Sequence, residues 1–266
     1  MKGGPFVGTL LASCAIAFST YSRLPMPQVA WSERNMRYTL AFFPLVGAAV
    51  GLVFWGADAL CGLLGTGTIL RAALRTAAPI IVTGGIHLDG YCDTVDALAS
   101  HAPREKKLAI LKDSSAGAFA VIWCCVWFLL YFALLTELES AATIAACFVL
   151  SRSLSALGVD RLPSARPITG PGAGMGSSLK KSSRFPWQLL AAYLAAWAGA
   201  VWLWGELVPA LAALAAAAGV YVLYKAVAMK QFGGFTGDLA GWFLQICELA
   251  MLAAAALAER VAAIWF

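Results

Sequence analysis

Aspartates stand at positions 89, 93 and 96 of the stretch TGGIHLDGYCDTVD, residues 83–96. If the chain is helical from Asp89 onward, spacings of four and three put all three carboxylates on one face, since such neighbours stack along a helix. Like charges gathered in this way repel, and a divalent cation held by oxygen ligands makes the cluster favourable. An all-oxygen donor set suits Mg2+ or Mn2+, which bridge protein carboxylates to phosphate or pyrophosphate and offset charge on a phosphoryl group in transfer. A lone DxxxD is more simply a pair of solvated acids or helix caps; three acids in eight residues, directly after an apolar run, call for more.

His87, one of two histidines, either packs at an interface or orients a carboxylate, binds phosphate or acts as a base. Gly84, Gly85 and Gly90 beside it permit tight backbone approach. A second compact polar insertion, GGFTGD at 233–238, offers the amides of Gly234, Thr236 and Gly237 and the carboxylate of Asp238 to an anion or a metal. Its plainer reading is a helix start capped by Asp238. Arg152, Arg161, Arg166, Lys180 and Lys181, with Gly170, Gly172, Gly174 and Gly176 among them, suit an extended anionic ligand. The glycines do not form a P-loop, because GAGMGSSL lacks the GK[ST] ending. Arg152 stands at the end of an apolar run with few charged neighbours, and Glu248 lies inside one; each asks for a specific partner. The seven cysteines form no CxxC pair, so zinc is not expected.

The elements that position these groups are apolar. Of 266 residues, 61% are hydrophobic and 12% charged, against roughly 25% charged in soluble domains. Such a chain cannot cover itself with a polar shell. Apolar runs recur along it at close to the roughly 20 residues that cross a bilayer, so the expectation is an all-α, polytopic integral membrane bundle forming one membrane-embedded catalytic domain over 1–266. About eight spans are expected, with seven also compatible: 5–20, 38–60, 69–86, 116–135, 141–157, 187–204, 207–229 and a last one from about 238. Pro44 is expected to break the second and Pro79 to bend the third, so either span could be partly re-entrant. Arg71 and Arg75 are expected to reach toward headgroups, and Asp58 to approach the same interface.

Eight spans bring the loops 21–37, 87–115, 158–186 and 230–238 to one side, and by count these carry 13 of the 19 lysines and arginines. The positive-inside tendency makes that side cytoplasmic, with both termini outside. The aspartates, the basic residues and the glycine-rich loops then share one face. Nothing in the chain has the character of a basic, aromatic nucleic-acid surface, so no nucleic-acid partner is expected.

In its order of motifs the chain resembles the cobalamin synthase family, the adenosylcobinamide-GDP ribazoletransferases. The resemblance rests on GGIHLDGYCDTVDAL at 84–98, STYSRLPMP at 19–27, Arg152 before the glycine-rich loop, and GGFTGDLAG at 233–241. Tyr91-Cys92 and Ala97 depart from the family pattern without removing a ligand. The resemblance implies a multi-pass enzyme of the bacterial cytoplasmic (inner) membrane, in the late nucleotide-loop assembly of adenosylcobalamin. It would join adenosylcobinamide-GDP to alpha-ribazole or alpha-ribazole 5'-phosphate and release GMP, with Mg2+ as cofactor. It further implies Asp89, Asp93, Asp96 and Asp238 as metal ligands and His87, Asp89, Asp93 and Arg152 as catalytic groups. Arg23, Gly84, Gly85, Gly90, Arg166, Gly234, Thr236 and Gly237 would bind substrate. Membrane lipid is an implied partner, and a homo-oligomer or a complex with other nucleotide-loop enzymes is compatible with it. The alternatives are a membrane alcohol phosphotransferase of phospholipid synthesis, although its DGxxAR pattern is missing here, and a transporter using intramembrane acids.

Overall fold

The computed structural model describes residues 5–113, 115–166 and 175–265. Backbone amides and carbonyls find no partners in hydrocarbon, so a chain this apolar satisfies them internally as helices. The helices are α1 (Pro5–Tyr21), α2 (Thr39–Leu63), α3 (Thr68–Thr83), α4 (Ile86–Ala99), α5 (Arg104–Ile110), α6 (Ala118–Glu137), α7 (Ala141–Arg161), α8 (Met175–Ser182), α9 (Trp187–Trp204), α10 (Leu207–Val227) and α11 (Gly237–Trp265). A π-helical turn, Ala228–Phe232, follows α10. The protein is a polytopic helical membrane protein, as its composition requires.

Each of the eight expected apolar stretches forms a helix. Five are long and apolar enough to cross a membrane, and α3 with α4 makes a sixth if that bent pair is one span. The remaining two are α1, with 17 residues, and α9, whose 18 residues include four tryptophans. Pro44 does not break α2, which runs unbroken for 25 residues, and α3 continues through Pro79. Neighbouring helices and small backbone adjustments accommodate such prolines in membrane helices. The real break is at Gly84–Gly85, where both residues adopt left-handed φ values of 66° and 78° and α4 turns 92° away from α3.

At the heart of the bundle α2 crosses α7 at small residues. A Cβ on Gly47 would strike the Phe148 carbonyl, and one on Gly51 the Ala145 carbonyl, so the spacing of four works as a small-residue contact in the sense known for membrane helices. α11 packs against both α10 and α4, and Phe243, Leu244, Cys247 and Met251 on it are fully buried.

Charges are handled separately at the two ends. At one end Arg71 and Arg75 both hold Asp58, at 2.6 and 2.5 Å. Arg75 does not extend to headgroups as expected. It is 2% exposed and its Nη1 donates to the Leu138 carbonyl at 2.7 Å, because the open carbonyls after α6 need a donor. At the other end the four polar loops meet. Arg23 N donates to Val82 O, Lys181 pairs with Glu33, Lys107 Nζ donates to Gln231, and Ser164 bridges Phe235 in parallel β fashion.

Asp58→Asn strands the buried Arg75 charge and is expected to lower stability by about 3 kcal/mol or more. Arg71→Ala, which removes the more exposed partner, is expected to cost about 1 kcal/mol or less. Unfolding midpoints in detergent check both.

Candidate active site

Where the polar loops meet, a cavity of about 210 Å³ opens between α4, α7 and α11. A pocket for a whole drug-sized ligand is about 300 Å³ or more, so this one takes only part of a large substrate. Its polar lining includes Thr20, His87, Asp89, Ser155, Arg166, Thr236 and Asp238.

α4 is helical from Ile86, which puts Asp89, Asp93 and Asp96 on one face as their spacing requires. The fourth acid arrives because α4 and α11 nearly touch. A Cβ on Gly90 would lie 2.8 Å from the Asp238 carbonyl oxygen, and one on Gly241 2.8 Å from that of His87. Only glycine permits this approach. Asp93 then sits in the field of Asp89, Asp238 and Asp96, with Arg166 as the opposing positive charge.

Asp238 is not the cap of α11. Thr236 takes that role, its Oγ1 accepting from Leu239 N at 3.1 Å, which leaves the Asp238 carboxylate to face Arg166 Nη2 at 3.3 Å. The bridge that pairs Ala165 N with Phe235 O and Phe235 N with Pro163 O holds Arg166 there. Gly234 lies against the Pro163 carbonyl within that bridge, and Gly237 opens α11 at the cavity wall. Lys180 secures the neighbouring α8 by donating to Val159 O and Asp160 O at 2.7 and 3.1 Å. Burial pulls its pKa below the ordinary lysine value.

Two expected site residues have other principal contacts. Asp96 accepts from Gly117 N at 2.6 Å and from Ala120 N at 2.8 Å, so each of its oxygens is already engaged by the exposed amides at the start of α6. It caps that helix from outside. Arg152 is 1% exposed, pairs with Glu248, and is absent from the cavity lining. Its membrane-buried charge found the partner it needed in α11. Arg23 is exposed, its side chain lying over Gly84. Gly85 has open space above it. Gly170, Gly172 and Gly174 lie outside the described residues.

His87 is 5% exposed, yet its Nε2 has no hydrogen-bond partner. Its ring is held between Tyr21 and Phe43, with centroids 6.0 and 5.9 Å away. Among the described residues no three His, Cys, Asp or Glu side chains converge on one point to form a metal cage. The arrangement fits Mg2+ in a different way, because that ion commonly takes one or two protein carboxylates, several waters and the substrate's phosphates.

The sequence profile of the cobalamin-5-phosphate synthase family matches residues 13–256. The chain belongs to that family. Its similarity extends to proteins named adenosylcobinamide-GDP ribazoletransferase. The one from Lachnoclostridium phytofermentans is 41% identical over 94% of this chain and 95% of its own. That from Ectopseudomonas mendocina is 35% identical over 91% and 97%, and that from Brevibacillus brevis 31% over 89% and 94%. No solved structure matches. Membership in the cobalamin-5-phosphate synthase family sets aside the phospholipid-synthesis and transporter alternatives, and the matched segment contains every residue of the cavity.

Sequence reasoning missed Tyr21, Phe43 and Ser155, which line the cavity as well. Two of them read as ordinary anchors and packing groups. Ser155 carries a faint signal: it ends a series of serines at 151, 153 and 155 that brackets Arg152 in α7.

Asp96→Ala removes the cap of α6 and is expected to lower stability by about 1 kcal/mol. Asp93→Asn relieves repulsion among the acids and is expected to leave stability unchanged or raise it. Thermal unfolding without divalent cations separates the two.

Proposed function

We propose that this chain is an adenosylcobinamide-GDP ribazoletransferase, which joins adenosylcobinamide-GDP to alpha-ribazole or alpha-ribazole 5'-phosphate and releases GMP. The observation that carries this reading is one cavity in which Asp89, Asp238 and Arg166 meet, in a chain of the cobalamin-5-phosphate synthase family. Acids and an arginine at the mouth of a small pocket suit a pyrophosphate, and the 210 Å³ interior leaves the bulky corrinoid outside.

In this reading Asp89 and Asp238, which both line the cavity, would hold Mg2+ together with waters and the substrate's phosphates, Asp93 would add its negative charge beside them, and Asp96 fixes α4 against α6. When bound, the cation offsets the negative charge of the pyrophosphate. Arg166 stabilises the charge that develops as the pyrophosphate bond opens. A ribose hydroxyl oxygen forms a bond to the phosphorus carried by cobinamide, the bond from that phosphorus to the bridging oxygen breaks, and GMP departs. The hydroxyl proton goes to His87, which lines the cavity and whose buried Nε2 has no hydrogen-bond partner; carboxylates engaged with a cation are weaker bases. Arg152 acts from beneath, neutralising Glu248 so that α7 and α11 can pack. Arg23, over Gly84, and the start of α11 at Gly237 are placed to meet outer substrate groups, while the Gly234 amide is engaged by the Ala228 carbonyl.

The membrane is the bacterial cytoplasmic membrane and the site faces the cytoplasm. Support comes from 13 of the 19 lysines and arginines in the four loops, which gather at the site end of the bundle.

Purified protein in lipid, given adenosylcobinamide-GDP, Mg2+ and either acceptor, is expected to form cobalamin or its phosphate with one GMP per turnover. Asp93→Asn and chelation of divalent cations are each expected to reduce product to background. Mass spectrometry reads the outcome, and folded wild-type protein that releases no GMP with either acceptor under varied metal conditions would refute the proposal.

A further inference from the structure

The cavity changes character with depth. At its mouth Asp89 is exposed and Asp238 half-buried, His87 is 5% exposed, and at the inner wall Ser155 is fully buried. Around its most buried part stand Phe43, Val159, Leu179, Phe235 and Leu244, with Tyr21 half-buried beside them, and the hydroxyls of the buried Thr20 and Thr236 are engaged with Ile16 O and Leu239 N. Tyr21 and Phe43 pack ring on ring, with centroids 4.2 Å apart.

Ser155 is the anomaly in this apolar interior. Serines in helices commonly satisfy their hydroxyls on the preceding turn, and Ser153 does so by donating to Val149 O at 2.8 Å. Ser151 Oγ lies 3.0 Å from Glu248 Oε1. The Ser155 hydroxyl has no partner at all. A buried hydroxyl without a hydrogen bond is costly enough to need an account, and the cavity it lines offers one.

We infer that the inner part of this cavity is the subsite for the acceptor's base, a methylated benzimidazole, with Ser155 Oγ–H donating to the single unsubstituted ring nitrogen. This rests on the proposed function and extends it. A flat, largely apolar bicycle suits walls made by Tyr21, Phe43, Phe235 and aliphatic side chains, and it carries one hydrogen-bond acceptor, which one serine donor satisfies. The order of groups also agrees. With the base innermost, its ribose falls beside His87 and the reacting phosphate beside Asp89, Asp238 and Arg166. The guanine of the donor is the poorer occupant, since it presents several donors and acceptors and would leave most of them unpaired among apolar walls.

The test compares wild type with Ser155→Ala, using alpha-ribazole and an analogue in which CH replaces the unsubstituted ring nitrogen. One neutral hydrogen bond is worth up to about tenfold. Ser155→Ala is expected to raise the KM for alpha-ribazole by about tenfold and to leave the KM for adenosylcobinamide-GDP unchanged. Wild type is expected to prefer alpha-ribazole over the analogue by a similar factor, and Ser155→Ala to lose that preference. A serine with only a structural role would not erase discrimination at one ring atom.

Calorimetric binding of the two acceptors to the folded protein, without donor, asks the same question independently of turnover. If wild type turns over but the variant keeps both its acceptor KM and its preference, or if the change falls on the donor, the subsite is wrong and the proposed function stands. If wild type forms no product yet binds alpha-ribazole in a Ser155-dependent way, the function falls and the subsite survives. No preference in wild-type binding overturns the subsite.

Discussion

The contact between α4 and α11 at Gly90 and Gly241 is the constraint on which the site depends. Without it the acids of the TGGIHLDGYCDTVD stretch would share one helix and meet no carboxylate from elsewhere. Because each glycine leaves room for the opposing backbone, the start of α11 comes near enough for Asp238 to join the field around Asp93. The same contact closes one wall of the cavity. Repulsion among the acids works against it, and close packing at the two glycines holds the helices together.

The turn at Gly84–Gly85 matters next. A 92° bend takes α4 out of the direction of α3, so its aspartates face the polar loops. Elsewhere in the bundle charge is neutralised locally: Arg152 by Glu248, Arg75 by Asp58 and three carbonyls. The interior therefore carries paired charges, and the like charges are concentrated where substrate and counter-ions can reach them.

Much of this could be read in the sequence because its signals are local. Apolar run length identified the helices, and spacings of four and three put the aspartates on one face. The gathering of four loops at one end followed from counting spans. What escaped was decided by tertiary partners. Nothing in the run around Pro44 tells whether neighbouring helices will accommodate it. The capping role of Asp96 depends on the distant Gly117, and that of Thr236 on its competition with Asp238 two residues later. Arg152 looked like a phosphate ligand because its partner lies 96 residues away in Glu248. Tyr21, Phe43 and Ser155 were hidden because aromatic and small residues are common in any membrane helix, and only their convergence marks them.

Asp96 has one more consequence. It is two turns along α4 from Asp89 and is at the same time the anchor of α6, the least buried of the five long spans. The acidic face and a lipid-facing rod are thus joined by one short, stiff lever. Because both carboxylate oxygens of Asp96 are taken up by amides of α6, the far end of the acidic face is pinned to that helix. Its near end, at Asp89, is exposed and borders the cavity, so the acidic face has one fixed end and one open end.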